Sequence, residues 1–317
     1  MYKIFADWLT FQAFKLQPGT ITAEAVRFFV YDTLKIFSLL FIIIYFVSLV
    51  RTYFPPGKTK RILSHKKQYI GNIVAALLGI VTPFCTCSAI PLFLGFVETG
   101  IPLGVTFSFL IASPMINEVA MVVLWGMFGW KIALLYIGSG LVIAIVSGIV
   151  IGKLRLEHLV KKLDLGKRSS LPESITDFPF RVRLVIARDT MLSIIKHIWI
   201  YVLIAIGIGA WIHGFIPADF LVRYAGRGNW SAVPIAVLIG IPLYGSCAGA
   251  LPLIGVLTEK GVGLGTALAF MMAVTGLSLP EFLILKKVMK LKLILIFAGI
   301  VGLGIIFTGY LFNFLLK

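Results

Sequence analysis

The chain has three cysteines, which lie in two similar short segments, each inside an apolar stretch. The first segment reads Pro83-Phe84-Cys85-Thr86-Cys87-Ser88-Ala89-Ile90-Pro91, and the second reads Tyr244-Gly245-Ser246-Cys247-Ala248-Gly249-Ala250-Leu251-Pro252. Thiolates prefer soft centres, of which trivalent arsenic is one. Two thiols on one segment and one on the other therefore predict a three-sulfur site for a soft, thiol-reactive solute.

Other roles for these thiols stay open at this point. Cysteine is a small residue that is often buried simply as an apolar side chain. Cys85 and Cys87 form a redox pair in a second interpretation, although a disulfide at so short a separation is strained. A structural zinc site is disfavoured, because no histidine or further cysteine stands at ligand spacing. An odd number of cysteines also leaves at least one thiol free.

Prolines flank both cysteine segments, so we do not expect continuous helix there. Non-helical backbone is tolerated at membrane depth only where protein or water surrounds it. We therefore expect the two segments to line a cavity, in which Ser88, Ser246 and neighbouring amides face a substrate. The structural breaks are predicted at four prolines: Pro83, Pro91, Pro242 and Pro252.

Carboxylates form a second set of candidate residues. Glu118 follows Asn117 late in one apolar stretch, and Glu281 lies late in the corresponding stretch if a small gap is allowed. An ionisable group within a membrane span is costly and marks an ion or substrate pathway. Asn117, Glu118 and Glu281 are therefore predicted to couple transport to a proton or cation. Glu118 is the stronger candidate, because Lys286 follows Glu281 closely and favours a headgroup-level position for it.

The composition is that of an integral membrane protein. The chain has 317 residues, of which 59% are hydrophobic and 13% charged, and its mean hydropathy is +1.02. Its apolar runs each reach the roughly 20 residues that span a bilayer as a helix, and barrel strands are about half as long. An all-α, multi-pass protein of the cell membrane is predicted, without a cleaved signal peptide. Eight runs qualify: 32–50, 69–97, 101–128, 132–152, 191–216, 231–257, 262–285 and 293–316.

The positive charge is concentrated in three loops. Of 29 lysines and arginines, six lie in 51–67, nine in 153–188 and four in 286–292. Basic loops stay cytoplasmic, so all three are predicted on the inner face. Anionic lipid headgroups are a sufficient partner for a net charge of +16, and nucleic acid is not needed to explain it.

The two halves of the chain align at a constant offset, which indicates an internal duplication. Beyond the cysteines, Glu98-Thr99-Gly100 aligns with Glu259-Lys260-Gly261, where each glutamate is expected to end a helix before a glycine. If 69–98 and 231–258 are re-entrant hairpins, each half crosses the membrane three times and every basic loop falls inside. The prediction is two inverted repeats with six full spans and two broken hairpins. Eight full spans would place one basic loop outside.

Four regions follow from this organisation. Residues 1–31 form an interfacial segment, 32–152 the first membrane repeat, 153–190 a basic cytoplasmic linker, and 191–317 the second membrane repeat.

The chain resembles the ArsP-type predicted permease family. The motifs that carry the resemblance are the first cysteine segment, the run Leu110-Ile111-Ala112-Ser113-Pro114-Met115-Ile116-Asn117-Glu118, and Ala269-Phe270-Met271-Met272-Ala273-Val274-Thr275 leading to Leu279-Pro280-Glu281. The resemblance implies a polytopic permease. The family's best-known activity is efflux of trivalent organoarsenicals through membrane cysteines, which by motif position correspond here to Cys85 and Cys87, with Cys247 as a third candidate. Many members have no established substrate.

These observations favour a secondary-type permease, with a small solute bound at the membrane midplane between the two cysteine segments. No P-loop is visible, so the energy source is an ion gradient or a separate subunit. No cofactor, resident metal or enzymatic activity is predicted, and homo-oligomerisation stays open. The alternatives are a membrane thiol-disulfide oxidoreductase, disfavoured because only one further thiol exists to pass electrons on, and a passive channel.

Overall fold

The computed structural model of the chain is helical. It describes residues 2–17, 19–51, 68–82, 89, 92–93, 96–97, 100–116, 118–161, 179–215, 230–242, 254–255, 257–258 and 261–316. After a short helix α1 (Tyr2–Asp7) and a π-helical turn (Trp8–Ala13), ten more helices follow in this described part. They are α2 (Ile21–Arg51), α3 (Gln68–Val81), α4 (Leu103–Met115), α5 (Glu118–Phe128), α6 (Trp130–Lys153), α7 (Phe180–Phe215), α8 (Ala232–Gly240), α9 (Leu264–Gly276), α10 (Leu279–Val288) and α11 (Leu291–Leu315).

Several of these helices are long and apolar enough to cross a membrane, so the predicted multi-pass helical class is confirmed. By length and composition, four segments of the described chain qualify: Thr22–Phe46, Trp130–Lys153, Leu264–Lys286 and Leu291–Leu315. The consecutive helices α4 and α5 form a fifth if the 48° bend between them lies within one span. The predicted total of eight hydrophobic segments, with two hairpins, stays a prediction.

Helix boundaries repeat along the chain at a distance of 161 residues. The starts of α4 and α9 (Leu103 and Leu264), of α5 and α10 (Glu118 and Leu279) and of α6 and α11 (Trp130 and Leu291) are all separated by this distance. The same distance separates the ends of α4 and α9, at Met115 and Gly276. Structural repetition therefore extends from the glycine turns through the last helix without a gap.

A glycine ends the helical turn that follows each cysteine segment. Gly100 and Gly261 have φ angles of 75° and 88°, in the left-handed region that favours glycine. In the first half, the amide of Gly100 donates to Val97 O at 3.0 Å and that of Ile101 to Phe96 O at 3.0 Å, a Schellman helix end. The equivalent bonds join Gly261 to Thr258 (3.1 Å) and Val262 to Leu257 (3.0 Å). The predicted helix termination at a glycine is confirmed in both halves.

Small residues allow the helices of each half to touch backbone to backbone. A Cβ atom on Gly148 would stand 2.5 Å from the carbonyl oxygen of Gly104, which joins α6 to α4. In the second half, a Cβ atom on Gly265 would stand 2.5 Å from the carbonyl oxygen of Gly309, which joins α9 to α11. Such close approach is the usual means of association between helices in a membrane, where no hydrophobic effect drives them together.

The packing order is the same in the two halves. Helix α4 contacts α3 and α6, as α9 contacts α8 and α11, and α5 packs on α6 as α10 packs on α11. We call two helices or residues counterparts when they stand at the same place in the two halves of the chain. Three further contacts join a helix to its counterpart: α2 to α7, α4 to α9 and α6 to α11. Helix α4 is buried along its whole length and α9 from Gly265 to Gly276, so these two helices form the centre of the molecule.

The beginning of the central linker is joined to the turn between α10 and α11. Val160 and Met289 form an isolated antiparallel bridge. The amide of Lys161 donates to Val288 O and that of Lys290 to Leu159 O, each at 2.9 Å. This contact agrees with the prediction that the linker and the basic loop 286–292 share one face of the membrane.

Candidate functional site

Most residues of the predicted thiol site fall outside the described part of the chain. These are Cys85, Cys87, Ser88, Ser246 and Cys247, with the prolines Pro83, Pro91 and Pro252. Pro242 is described and lies half-buried in a turn directly after α8. Asn117 also lies outside the description, as does the side chain of Glu118. The roles predicted for these residues stay predictions.

The ends of α4 and α9 meet at the centre of the protein. A Cβ atom on Gly276 would stand 3.3 Å from the sulfur of Met115, and these two residues are counterparts, 161 positions apart. Ile143 and Gly304 are also counterparts, and a Cβ atom on Gly304 would likewise stand 3.3 Å from Ile143 Cγ1. The ends of α4 and α9, each followed by a break, therefore lie side by side.

Helices α3 and α8, which directly precede the two cysteine segments, pack against the same junction. A Cβ atom on Gly79 would stand 3.0 Å from Ala112 Cβ, and one on Gly240 would stand 3.0 Å from Ala273 Cβ. Both alanines lie within one turn of the ends of α4 and α9. In addition, the amide of Leu279 at the start of α10 donates to Ile241 O at 2.7 Å. The chain thus enters both cysteine segments next to the breaks after α4 and α9.

Polar contacts at this junction differ between the halves. The buried Tyr136 hydroxyl donates to Met115 O at 3.1 Å and so satisfies a carbonyl at the end of α4. The counterpart of Tyr136 is Phe297, which has no hydroxyl group and instead packs 5.6 Å from the ring of Phe107. The junction is therefore symmetric in its backbone and asymmetric in its polar groups, as a site for an asymmetric solute requires.

Glu281 is buried in the first turn of α10. Only 2% of the residue is exposed, and neither carboxylate oxygen has a hydrogen-bond partner among the residues that the structure describes. No described lysine forms an ion pair with it. This burial is among protein side chains, and the headgroup-level depth that the nearby lysines suggest stays a prediction. An unpaired buried carboxylate is costly, so Glu281 is a functional candidate.

The two candidate carboxylates do not occupy equivalent positions. Because helix starts repeat at 161 residues without a gap, the counterpart of Glu118 is Leu279 and that of Glu281 is the buried Ala120. The small gap allowed in the sequence alignment is not needed. Each half therefore contributes one carboxylate at its own place in the first turn after the break.

Sequence reasoning missed a buried polar pair between α3 and α4. The Ser108 hydroxyl donates to Asn72 Oδ1 at 3.2 Å, and Asn72 Nδ2 finds no partner within the described residues. The counterparts in the second half are Val233 and Ala269, which are apolar. A lone asparagine within the apolar run 69–97 was the available signal.

Comparison with known proteins decides the family. The ArsP family of predicted permeases matches residues 21–314. The chain belongs to this family. A UPF0718 protein of Methanocaldococcus jannaschii is 25% identical, with 80% of this chain and 85% of the relative aligned. The UPF0718 protein YraQ of Escherichia coli is 23% identical, with 83% and 73% aligned. A Streptococcus mutans relative, 25% identical with 82% of each chain aligned, is provisionally named a subunit of a two-component membrane permease complex.

The family and the helical structure together identify a multi-pass membrane permease. The resemblance predicted from the cysteine and Pro-Glu motifs is confirmed. No solved structure matches the chain. Within the described residues of the permease, no three His, Cys, Asp or Glu side chains are grouped as a metal site.

Proposed function

We propose that the permease is a secondary transporter that carries a small thiol-reactive solute, with trivalent organoarsenicals as the leading substrate class. The solute binds at the junction of α3, α4, α8 and α9, where Cys85, Cys87 and Cys247 supply thiols. The observation that carries this proposal is the contact between the counterparts Met115 and Gly276. This contact supports a shared site for two broken segments, each following a helix that packs beside the start of a cysteine segment, because transporters of duplicated fold bind substrate at the interface of their repeats.

An inverted arrangement of the repeats is supported by the ends of α6 and α11. Helix α6 ends at Lys153, and six residues later Leu159 O accepts a hydrogen bond from the amide of Lys290, directly before α11. Six residues reach at most about 21 Å, less than the roughly 30 Å of a bilayer core. The end of α6 and the start of α11 therefore share one face, and these counterpart helices run in opposite directions.

Coupling to an ion gradient is assigned to the carboxylates. Glu281 is buried without a partner among described residues, and a bound proton or cation would offset the cost of burying its charge. Glu118 begins α5 in the first half of the chain. A group that is alternately buried and hydrated exchanges a proton with each face in turn, which links solute movement to a proton gradient.

The thiol site predicts a loss of binding in cysteine variants. With phenylarsine oxide as the trivalent arsenical probe, Cys85→Ser, Cys87→Ser and Cys247→Ser are each expected to weaken binding at least about tenfold, because a hydroxyl is a poor ligand for a soft centre. Binding is measured by calorimetry on the purified permease. The matched control is Met271→Leu, which removes a buried sulfur from α9 without removing a thiol. Unchanged affinity in all three cysteine variants would remove the thiol site.

Transport itself is tested in vesicles with an imposed pH gradient. The purified permease is expected to accumulate phenylarsine oxide against its concentration gradient only while the pH gradient lasts. Thiosulfate and arsenate, which have no thiol-reactive trivalent arsenic, should not accumulate. Flux of the probe at the same rate with and without the pH gradient would identify a channel. If other solutes are transported and the arsenical is not, this substrate class is rejected.

The inverted arrangement predicts which loops share a face. Single cysteines at positions 161 and 290 of a cysteine-free variant should react with an impermeant thiol reagent from the cytoplasmic side, because both belong to basic loops. A cysteine at position 230, which is highly exposed in the wild type, should react from the external side. Reaction of positions 230 and 290 from the same side would exclude inverted repeats.

A further inference from the structure

A cavity of about 310 Å³ lies between α1 and the first turns of α2. This volume is at the lower end of the roughly 300–1,000 Å³ typical of small-ligand pockets. The cavity is far in sequence from the cysteine segments and from both candidate carboxylates. Its lining combines charged, aromatic and small side chains: Lys3, Ala6, Glu24, Arg27, Phe28 and Tyr31.

An ion pair closes one wall of the cavity and orients its arginine. Arg27 Nε donates to Asp7 Oδ1 at 2.6 Å, and Arg27 Nη1 donates to Glu24 Oε2 at 3.4 Å. Helices α1 and α2 are in contact, and Ala6 of α1 and Ala23 of α2 are both fully buried. Arg27 Nη2 and the Lys3 ammonium have no partner among the described residues, so two cationic donors remain available to an anionic group.

The cavity also offers groups that attract a cation. Glu24 lines it with a carboxylate that only one guanidinium nitrogen approaches. The ammonium of Lys35 lies over one face of the Tyr31 ring, 5.6 Å from its centroid, so a ligand cation would use the opposite face. Groups of both signs in one small cavity fit a zwitterion better than a simple anion.

The surroundings of the cavity are those of a membrane interface. Exposed apolar side chains of the N-terminal helix include Tyr2, Ile4, Phe5 and Trp8, and the rings of Phe5 and Trp8 lie 5.9 Å apart. Tryptophan and tyrosine concentrate at headgroup depth, and helices of this kind lie in the interface. The membrane-spanning part of α2 begins at Thr22, so the cavity stands at the end of a span.

We propose that this cavity binds the headgroup of a zwitterionic phospholipid that carries a phosphate and a primary ammonium, as phosphatidylethanolamine does. The phosphate meets Lys3 and the free edge of Arg27, since phosphate oxygens take charge-assisted hydrogen bonds from such donors. The ammonium meets Glu24 and the face of Tyr31. The acyl chains extend beside the exposed apolar residues of α1.

Native mass spectrometry of the full-length permease in detergent tests this site. Phosphatidylethanolamine, phosphatidylcholine and phosphatidylglycerol with identical acyl chains are offered in equal amounts, and phosphatidylethanolamine should be retained most. Lys3→Gln should lower its retention about tenfold, the effect of losing one charge-assisted hydrogen bond. Glu24→Gln should remove the preference for ethanolamine over choline.

A lysine elsewhere serves as the matched control. Lys131 is exposed and lies 5.9 Å from the ring of Trp130 at the start of α6, so Lys131→Gln removes the same charge beside an aromatic ring without touching the cavity. It should leave retention unchanged. Equal retention of the three lipids, preference for phosphatidylglycerol, or unchanged retention in both Lys3→Gln and Glu24→Gln would overturn the proposal.

A second measurement needs no variant. On the wild-type permease, glycerophosphoethanolamine should displace bound phosphatidylethanolamine, whereas inorganic phosphate at the same concentration should not, because it lacks the ammonium. Displacement by phosphate alone would show that the cavity takes a free anion instead of a lipid headgroup. Failure of glycerophosphoethanolamine to displace the lipid would show that the acyl chains, and not the headgroup, determine retention.

Discussion

Replacing Glu281 by glutamine is expected to lower gradient-driven transport at least about tenfold while binding of the arsenical probe stays measurable. Glutamine keeps the size of the side chain but cannot exchange a proton. Since Glu281 is buried with neither oxygen bonded to a described residue, loss of its charge breaks no ion pair within the described part of the chain. Uptake into vesicles at several imposed pH gradients, compared with equilibrium binding, measures the two effects separately.

The control for this variant is Glu157→Gln, which neutralises an exposed carboxylate in the short 3-10 turn after α6. It should respond to the gradient like the wild type. Glu118→Gln distinguishes the two carboxylates, since a coupling group in each half predicts that both variants lose gradient dependence. An unaltered response of Glu281→Gln to the pH gradient would contradict its coupling role, whatever the result for Glu118→Gln.

Alanine at Gly148 or Gly309 is expected to lower the temperature of unfolding in detergent by about 5 °C or more, because overpacking a tight contact typically costs about 1–3 kcal/mol. A Cβ atom on Gly148 would stand 2.5 Å from Gly104 O, and one on Gly309 would stand 2.8 Å from Ala269 Cβ. In each half, the last helix would have to move away from the central helix, α4 or α9. Unfolding followed by the fluorescence of a thiol-independent dye measures the change.

The chain supplies a control in each of the same two helices. Gly138 in α6 and Gly299 in α11 are also counterparts, and a Cβ atom at either meets nothing within 4 Å. Gly138→Ala and Gly299→Ala should leave the temperature of unfolding unchanged or raise it slightly, since alanine favours helix over glycine by about 1 kcal/mol. If all four variants unfold at the same temperature, the close helix contacts do not stabilise the permease.

The junction at the ends of α4 and α9 also explains why breaks in the chain are placed where they are. A continuous helix through Met115 or Gly276 would carry its own hydrogen bonds past the centre and leave no backbone group for a solute. Pro114 has no amide to donate within the last turn of α4. The carbonyl of Met115, which a continuing helix would bond to a later amide, accepts a hydrogen bond from the Tyr136 hydroxyl. Side chains and backbone groups of separate helices therefore supply hydrogen bonds to the backbone of the interrupted segments.

Sequence by itself determined the class of this protein and predicted its duplication. Long apolar runs specify helices that cross a membrane, because the bilayer leaves backbone groups no other partners. The paired cysteine segments and the aligned Glu-x-Gly triplets indicated the repeat, and the glycines of those triplets lie at left-handed helix ends, which strongly favour glycine. The cysteine and Pro-Glu motifs identified the permease family. All of these signals are local or periodic, so they can be recognised in the sequence without knowing which segments are in contact.

Only the tertiary structure decided which segments touch. The contact between Met115 and Gly276 and the bridge between Val160 and Met289 join residues that are far apart in sequence. The burial of Glu281 likewise depends on helices that are far apart in sequence. The lysines that follow Glu281 gave no sign that its side chain is buried against other helices. That burial depends on the packing of α10 against α7 and α11, which no local pattern encodes.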